Sequence, residues 1–203
     1  MSGDATTLIE QFFASQPDDS DFQIAPRRAP FSFVGPLSDD ARFVYATKRD
    51  PVLFALDQCD APCDVGVIAR YGLPSRSDVP WLRKITGDCD LYFLGDLDPV
   101  DLLTLAWLRA AFEPKTIVHF GVNDSLCEQL HVSIPDSYTI PLSPSEVAAL
   151  PLLEQVFPDL FDAVGPASAA RLRSGCKTEI EAVVSALGSS MPIVELLMRS
   201  PKP

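Results

Sequence analysis

Residues 91–108, LYFLGDLDPVDLLTLAWL, place Asp96 and Asp98 directly after a run of apolar residues and a glycine, Gly95. Two carboxylates spaced as Asp-x-Asp can both reach a hard cation such as Mg²⁺, which takes oxygen ligands. If the apolar run is a buried strand, they stand at its carboxyl end, where open parallel sheets bind ligands. Asp101, one helical turn further on, could add an outer oxygen. A plainer reading covers part of this. Asp98 followed by Pro99 is what an N-cap and a first-position proline look like, and Asp101 then suits the helix dipole. That account leaves Asp96 and Gly95 unexplained.

Other residues able to do chemistry are more scattered. Arg70, Arg76, Arg83 and Lys84 flank one apolar strand and the helix after it. With Lys48 and Arg49 they could form a basic rim able to meet a phosphate, Arg70 and Arg76 being the phosphate-binding candidates. The competing reading is a set of ordinary surface cations. Cys59 and Cys63 are spaced Cys-x-x-x-Cys among acids, but zinc needs about four ligands at recognisable spacing and no Cys-x-x-Cys pair exists. A structural role is expected for them. His119 falls inside an apolar strand and reads as a core or strand-edge histidine, while His131 sits at a loop edge. Asn123 and Asp124 could reach a cleft, although a helix cap is the default. Tyr45, Tyr71, Tyr92 and Tyr138 fall in or beside expected strands, so each is expected in the core.

These residues need elements to hold them. Residues 5–15 read as a short amphipathic helix, and residues 16–40, with Pro17, Pro26, Pro30 and Pro36, as an extended arm with little regular structure. Strands are expected at 43–47, 65–69, 91–94 and 116–120, with a short fifth at 138–140. Helices are expected from Pro51 to Asp57, near 78–85 and at 99–112, the last apolar on most faces and so well buried. Strands this apolar, alternating with helices, predict an α/β fold with a central, mostly parallel sheet of four to five strands covered by helices on both faces. The remainder reads as helical, with capping boxes at 143–146 and 178–181 and a final helix from about Pro192. The expected organisation is an N-terminal helix and Pro-rich arm (1–40), an α/β domain (41–190) and a C-terminal helix and tail (191–203).

Composition narrows the function classes. The 203 residues include 28 Asp+Glu against 16 Lys+Arg, a formal net charge of −12, and 47% are hydrophobic. That apolar content argues against intrinsic disorder. The negative charge disfavours a nucleic-acid coat, since phosphate binding draws on clustered cations. It does not exclude a metal-dependent nucleic-acid enzyme. The first residues lack a basic stretch followed by an apolar core, so a secretory leader is not expected, and no run is long enough for a membrane-crossing helix. Five cysteines, an odd count for a disulfide framework, fit a reduced, cytoplasmic chain.

The strand-Gly-Asp-Leu-Asp-Pro-helix pattern resembles the Asp-x-Asp motif of Toprim domains. It is most similar to the branch shared by the topoisomerase VI A subunit, the meiotic double-strand-break proteins and the nuclease subunits of plasmid-defence systems. Residues 43–56 (FVYATKRDPVLFAL) resemble the first strand, loop and helix of that fold. Residues 65–82 (VGVIARYGLPSRSDVPWL) resemble its second strand and Gly-x-Pro-Ser loop, and 177–183 (KTEIEAV) a Glu-rich helix start seen late in such domains. The resemblance covers roughly residues 40–187. It implies Asp96 and Asp98 as ligands of Mg²⁺. Toprim enzymes also carry a Glu in the turn after the first strand, as metal ligand or general acid/base. Here that turn is Thr47-Lys48-Arg49-Asp50. Lys48 or Arg49 could neutralise the aspartates without metal, and Asp50 or Asp101 are the only stand-ins for the missing acid. The tyrosine-bearing winged-helix domain of the topoisomerases has no room in the first 40 residues.

The resemblance thus implies a stand-alone, catalytically degenerate Toprim-like protein that acts through another protein or self-association. The alternative is a Mg²⁺-dependent nucleic-acid cleaving or phosphotransfer enzyme. A small-molecule phosphate binder using the same cleft is a third possibility.

Overall fold

The computed structural model describes residues 31–34, 42–47, 65–70, 78–113 and 116–199. The expected helices at 5–15 and 51–57, Lys48, Arg49, Asp50, Tyr71, Arg76, Cys59 and Cys63, and the side chain of Arg70 lie outside the described residues.

Five strands form the main sheet: β1 (Phe31–Val34), β2 (Arg42–Ala46), β3 (Val65–Arg70), β4 (Asp90–Leu94) and β5 (Ile117–His119), in the order β1-β3-β2-β4-β5. β3, β2, β4 and β5 run parallel, and β1 pairs antiparallel to β3. The four parallel strands are those expected from the apolar runs. The fifth is not. It comes from the Pro-rich segment read as an arm, where a short Phe-Ser-Phe-Val run between prolines gives no clear period. The stretch expected to be the fifth strand instead forms a 3₁₀ turn at Asp136–Tyr138 and a short strand β6 (Ile140–Pro141). β6 pairs antiparallel with β7 (Cys176–Lys177), away from the main sheet. Tyr138 is therefore exposed, unlike the buried Tyr45 and Tyr92.

Helix α1 (Val79–Thr86) leads into β4, and α2 (Pro99–Phe112) joins β4 to β5. α2 starts where the Asp98 carboxylate accepts from the Asp101 amide at 2.7 Å. It ends where Glu113 swings to an extended ψ of 134°, as the residue before Pro114 must. Between these ends Leu102, Leu105 and Leu108 are fully buried, each contributing about 1.5–3 kcal/mol. The remaining helices are α3 (Asp124–Gln129), α4 (Pro144–Val156), α5 (Pro158–Val164), α6 (Pro166–Arg173), α7 (Ile180–Leu187) and α8 (Met191–Arg199). α4 carries the expected capping box between Ser143 and Glu146. Arg42 donates to the last carbonyls of α8, Leu197 O and Met198 O, at 2.5 Å, which ties the final helix to β2. Among the described residues no single helix is long and apolar enough to cross a membrane.

Register sets a row of rings across the sheet. Tyr45 pairs with Phe93, and Phe93 with His119. The Tyr45 and Phe93 rings stack with centroids 6.1 Å apart, and His119 lies 6.3 Å from Phe93. His119 Nδ1 is 3.4 Å from Asn123 Nδ2, while its buried Nε2 has no hydrogen-bond partner among the described residues. Burial first, and the nearby Arg109 charge second, lower its pKa from 6.5 to about 4. A depressed folded pKa means stability is complete above about pH 6.5 and falls as pH drops toward about 4, because only the unfolded chain takes the proton there. Urea denaturation should show a loss of up to about 3 kcal/mol over that window, and His119→Phe should flatten that part of the profile.

Candidate functional site

The chain reverses its direction across the sheet between β2 and β4, because β2 leads outward to β3 and β4 leads the other way to β5. Adjacent strands whose connections part in this way open a crevice at their carboxyl ends, the place where such sheets bind ligands. Thr47 stands at the end of β2 and donates its amide to Leu94 O at 3.2 Å. Gly95 and Asp96 follow β4. Asp98 and Asp101 come from the start of α2. One oxygen of each of Asp96, Asp98 and Asp101 lies within 4.8 Å of the others. Asp96 and Asp101 are buried, at 5% and 7% exposure, and Asp98 is partly buried.

Each carboxylate also has a structural partner. Asp101 Oδ2 accepts from the Thr47 hydroxyl at 2.7 Å and from the Asp96 amide at 2.6 Å. Asp98 Oδ1 caps α2 through the Asp101 amide. Asp96 Oδ1 accepts from the Ile180 amide at 2.8 Å, at the start of α7. The expected capping box at 178–181 is thus absent. Thr178 pairs its backbone with Leu97, with bonds of 2.8 and 3.2 Å, and its hydroxyl accepts from Arg171 at 3.3 Å. Its side chain is taken, and a carboxylate remote in sequence caps the helix instead. Nothing in the local sequence could signal this, because Asp96 and Ile180 belong to opposite halves of the chain.

The same geometry explains Gly95. A Cβ there would lie 2.7 Å from Asp101 Oδ2 and 2.6 Å from Phe93 Cε1. Gly121 repeats the logic one strand over, where a Cβ would lie 2.5 Å from Gly95 O, and Val122 donates to that same carbonyl at 3.0 Å.

Burial raises the affinity of Asp98 and Asp101 for protons. Burial, then the charges of Asp98 and Asp96, hold the Asp101 carboxyl well above the usual carboxylate range, against the opposing pull of Thr47 and the Asp96 amide. Asp98 is also raised, chiefly by burial, while the Asp101 amide and then the Lys177 charge pull it back. Lys177 donates to Glu146 Oε1 at 2.7 Å. Burial acts against the Glu146 charge, but Lys177 and Ser143 outweigh it and hold its carboxyl below the usual range.

Sequence reasoning named three members of this site, Asp96, Asp98 and Asp101, and the fold brings all three together. Asp101 belongs inside the cluster and not in an outer position. The reasoning missed Thr47 as a side chain, Lys177 and Glu146. The signal for Lys177 was its place in the KTEIEAV segment, but nothing local tells which carboxylate it meets. Arg83 does not belong to a rim around this site. It donates to Ala111 O at 2.7 Å near the far end of α2, about 20 Å from the helix start. Asn123 caps α3 through the Leu126 amide, and Asp124 binds the Ala167 and Ser168 amides at the start of α6, so Asp124 serves packing and not the cleft.

The all-oxygen donor set fits a hard divalent cation. No protein-family model matches the chain, and the search of curated proteins found no match.

Two consequences follow for the cluster. Gly95→Ala should lower stability by about 1–3 kcal/mol in urea denaturation, because the new methyl pushes on Asp101 and Phe93. Asp101 has a raised folded pKa, so its contribution is fully present below the ordinary carboxylate range and is lost as pH rises through the raised value. Asp101→Asn keeps an acceptor oxygen for Thr47 and Asp96 and removes the buried charge. Its stability relative to wild type should therefore improve from acid to neutral pH, as read from urea midpoints at each pH.

Proposed function

We propose that this chain is a Toprim-like protein with a degenerate site, working as an accessory module through another protein or through self-association. One observation carries the reading: the three carboxylates that would hold a metal are each engaged by a donor from the chain itself. Thr47 contributes a neutral hydroxyl at the strand end where Toprim enzymes carry a nearby Glu. A hydroxyl donor supports Asp101 but cannot act as metal-binding carboxylate or general base. The resemblance in motif order and the four-strand parallel sheet are the support for the Toprim-like assignment.

A second reading is favoured by the cluster itself. Three buried or partly buried carboxylates within 4.8 Å repel one another, and a divalent cation would relieve that repulsion. In this reading Asp96 and Asp98 hold Mg²⁺, which when bound supplies Lewis-acid activation of a phosphate oxygen. The chain's own residues would orient that site: the Thr47 hydroxyl and Asp96 amide fix Asp101, and the Ile180 amide fixes Asp96. Asp101, buried and bonded on the inner side, is poorly placed as a general base.

Calorimetric titration with Mg²⁺ and Mn²⁺ separates the two. The degenerate reading expects no binding tighter than about 1 mM by the wild type. Tighter binding that disappears in Asp96→Asn would overturn it and favour the enzyme.

A further inference from the structure

Leu97 and Thr178 form an antiparallel bridge in which each donates to the other. The flanking residues stay extended, Asp98 at φ −144°, ψ 163° and Glu179 at φ −84°, ψ 153°. The register therefore sets Lys177 opposite Asp98 and Glu179 opposite Asp96. Directly opposed residues on antiparallel strands have Cβ atoms roughly 5 Å apart, near enough for charges to act on each other. Lys177 is half-buried, and its ammonium is anchored on Glu146 at 2.7 Å. Glu146 is in turn fixed by the Ser143 amide at 2.6 Å. The cation thus cannot wander from the rim of the cluster without breaking a buried pair.

We infer that Lys177, facing Asp98 across the Leu97–Thr178 bridge and anchored by Glu146, is a resident counter-cation of the acid cluster and keeps divalent metal out of it. This deepens the degenerate reading and rests on it. The sequence pointed to Lys48 or Arg49 for that role, and both lie outside the described residues; among the described residues the bridge points to a lysine some 80 positions after Asp98 in the chain. The physical basis is competition. An ammonium held on Glu146, with its charge acting on Asp98, offsets part of the negative charge that would attract a cation, and it repels a divalent ion entering the cluster. The mutual support of Lys177 and Asp98 is also visible from the lysine, whose ammonium is favoured by Glu146 and Asp98 together, against its burial.

The test is Mn²⁺ calorimetry on the full chain. Lys177→Met combined with Glu146→Gln removes the pair together, so no buried charge is left alone. Lys177→Gln is a second variant that keeps a hydrogen-bond donor for Glu146. Lys177→Gln should bind Mn²⁺ at least roughly tenfold more tightly than wild type, given the strength of a unit charge at this range, and the double variant, which removes one charge of each sign, should tighten binding less. Adding Asp98→Asn should abolish the gain. Binding no tighter than wild type in a folded variant, or a gain that survives Asp98→Asn, overturns the inference. Wild-type binding tighter than about 1 mM would instead overturn the degenerate reading and with it the exclusion of metal, and a further tightening in the variants would then mean that Lys177 weakens binding without preventing it.

Discussion

A single carboxylate oxygen, Asp101 Oδ2, joins the ends of two strands to the start of a helix. It accepts from the Thr47 hydroxyl on β2 and from the Asp96 amide after β4, while its own residue lies in the first turn of α2. An oxygen so deeply placed tolerates no unpaired donor nearby and no extra atom. Hence Gly95 must be glycine, and Gly121 must let its neighbour strand close on the Gly95 carbonyl. Removing one partner of a buried charged hydrogen bond leaves the other unsatisfied, which is commonly costlier than the bond is worth. The geometry at the carboxyl end of the sheet is therefore set by satisfaction of this oxygen as much as by any ligand.

The same requirement propagates outward. Asp96 turns its carboxylate to the Ile180 amide, so the start of α7 is capped from the sheet. The Leu97–Thr178 bridge runs alongside and holds the C-terminal helices against the acid loop. Asp96, Leu97 and Asp98 thus alternate between two tasks along one short segment. The carboxylates face the cluster or cap helices, and the intervening leucine, fully buried, ties down the backbone. Electrostatics pulls the other way. Burial, then the charges of Asp98 and Asp96, disfavour ionisation of Asp101, and donors from the chain itself, the Thr47 hydroxyl and the Asp96 amide, oppose that effect.

Much of the sheet was legible in the sequence because buried parallel strands are near-continuous apolar runs, and 43–46, 65–69, 91–94 and 117–119 are of that kind. The α2 cap was legible because Asp98-Pro99 is a local signal. β1 was not, since an edge strand of a few residues among prolines carries no period. The stretch near Tyr138 was misjudged because β-branched and aromatic residues there serve a short surface pairing with β7. The 178–181 capping pattern was present in the letters, yet the hydroxyl it needed is engaged by Arg171 and its backbone by Leu97.

By itself the sequence determined the α/β character, the parallel strands and the three aspartates at the tip of one of them, because local hydrophobic period and residue type decide those. Only the tertiary structure decided what the aspartates meet. Their partners Thr47 and Ile180 come from segments far apart in the chain, and the packing of those segments, not the spacing of residues, brings a donor to an acceptor.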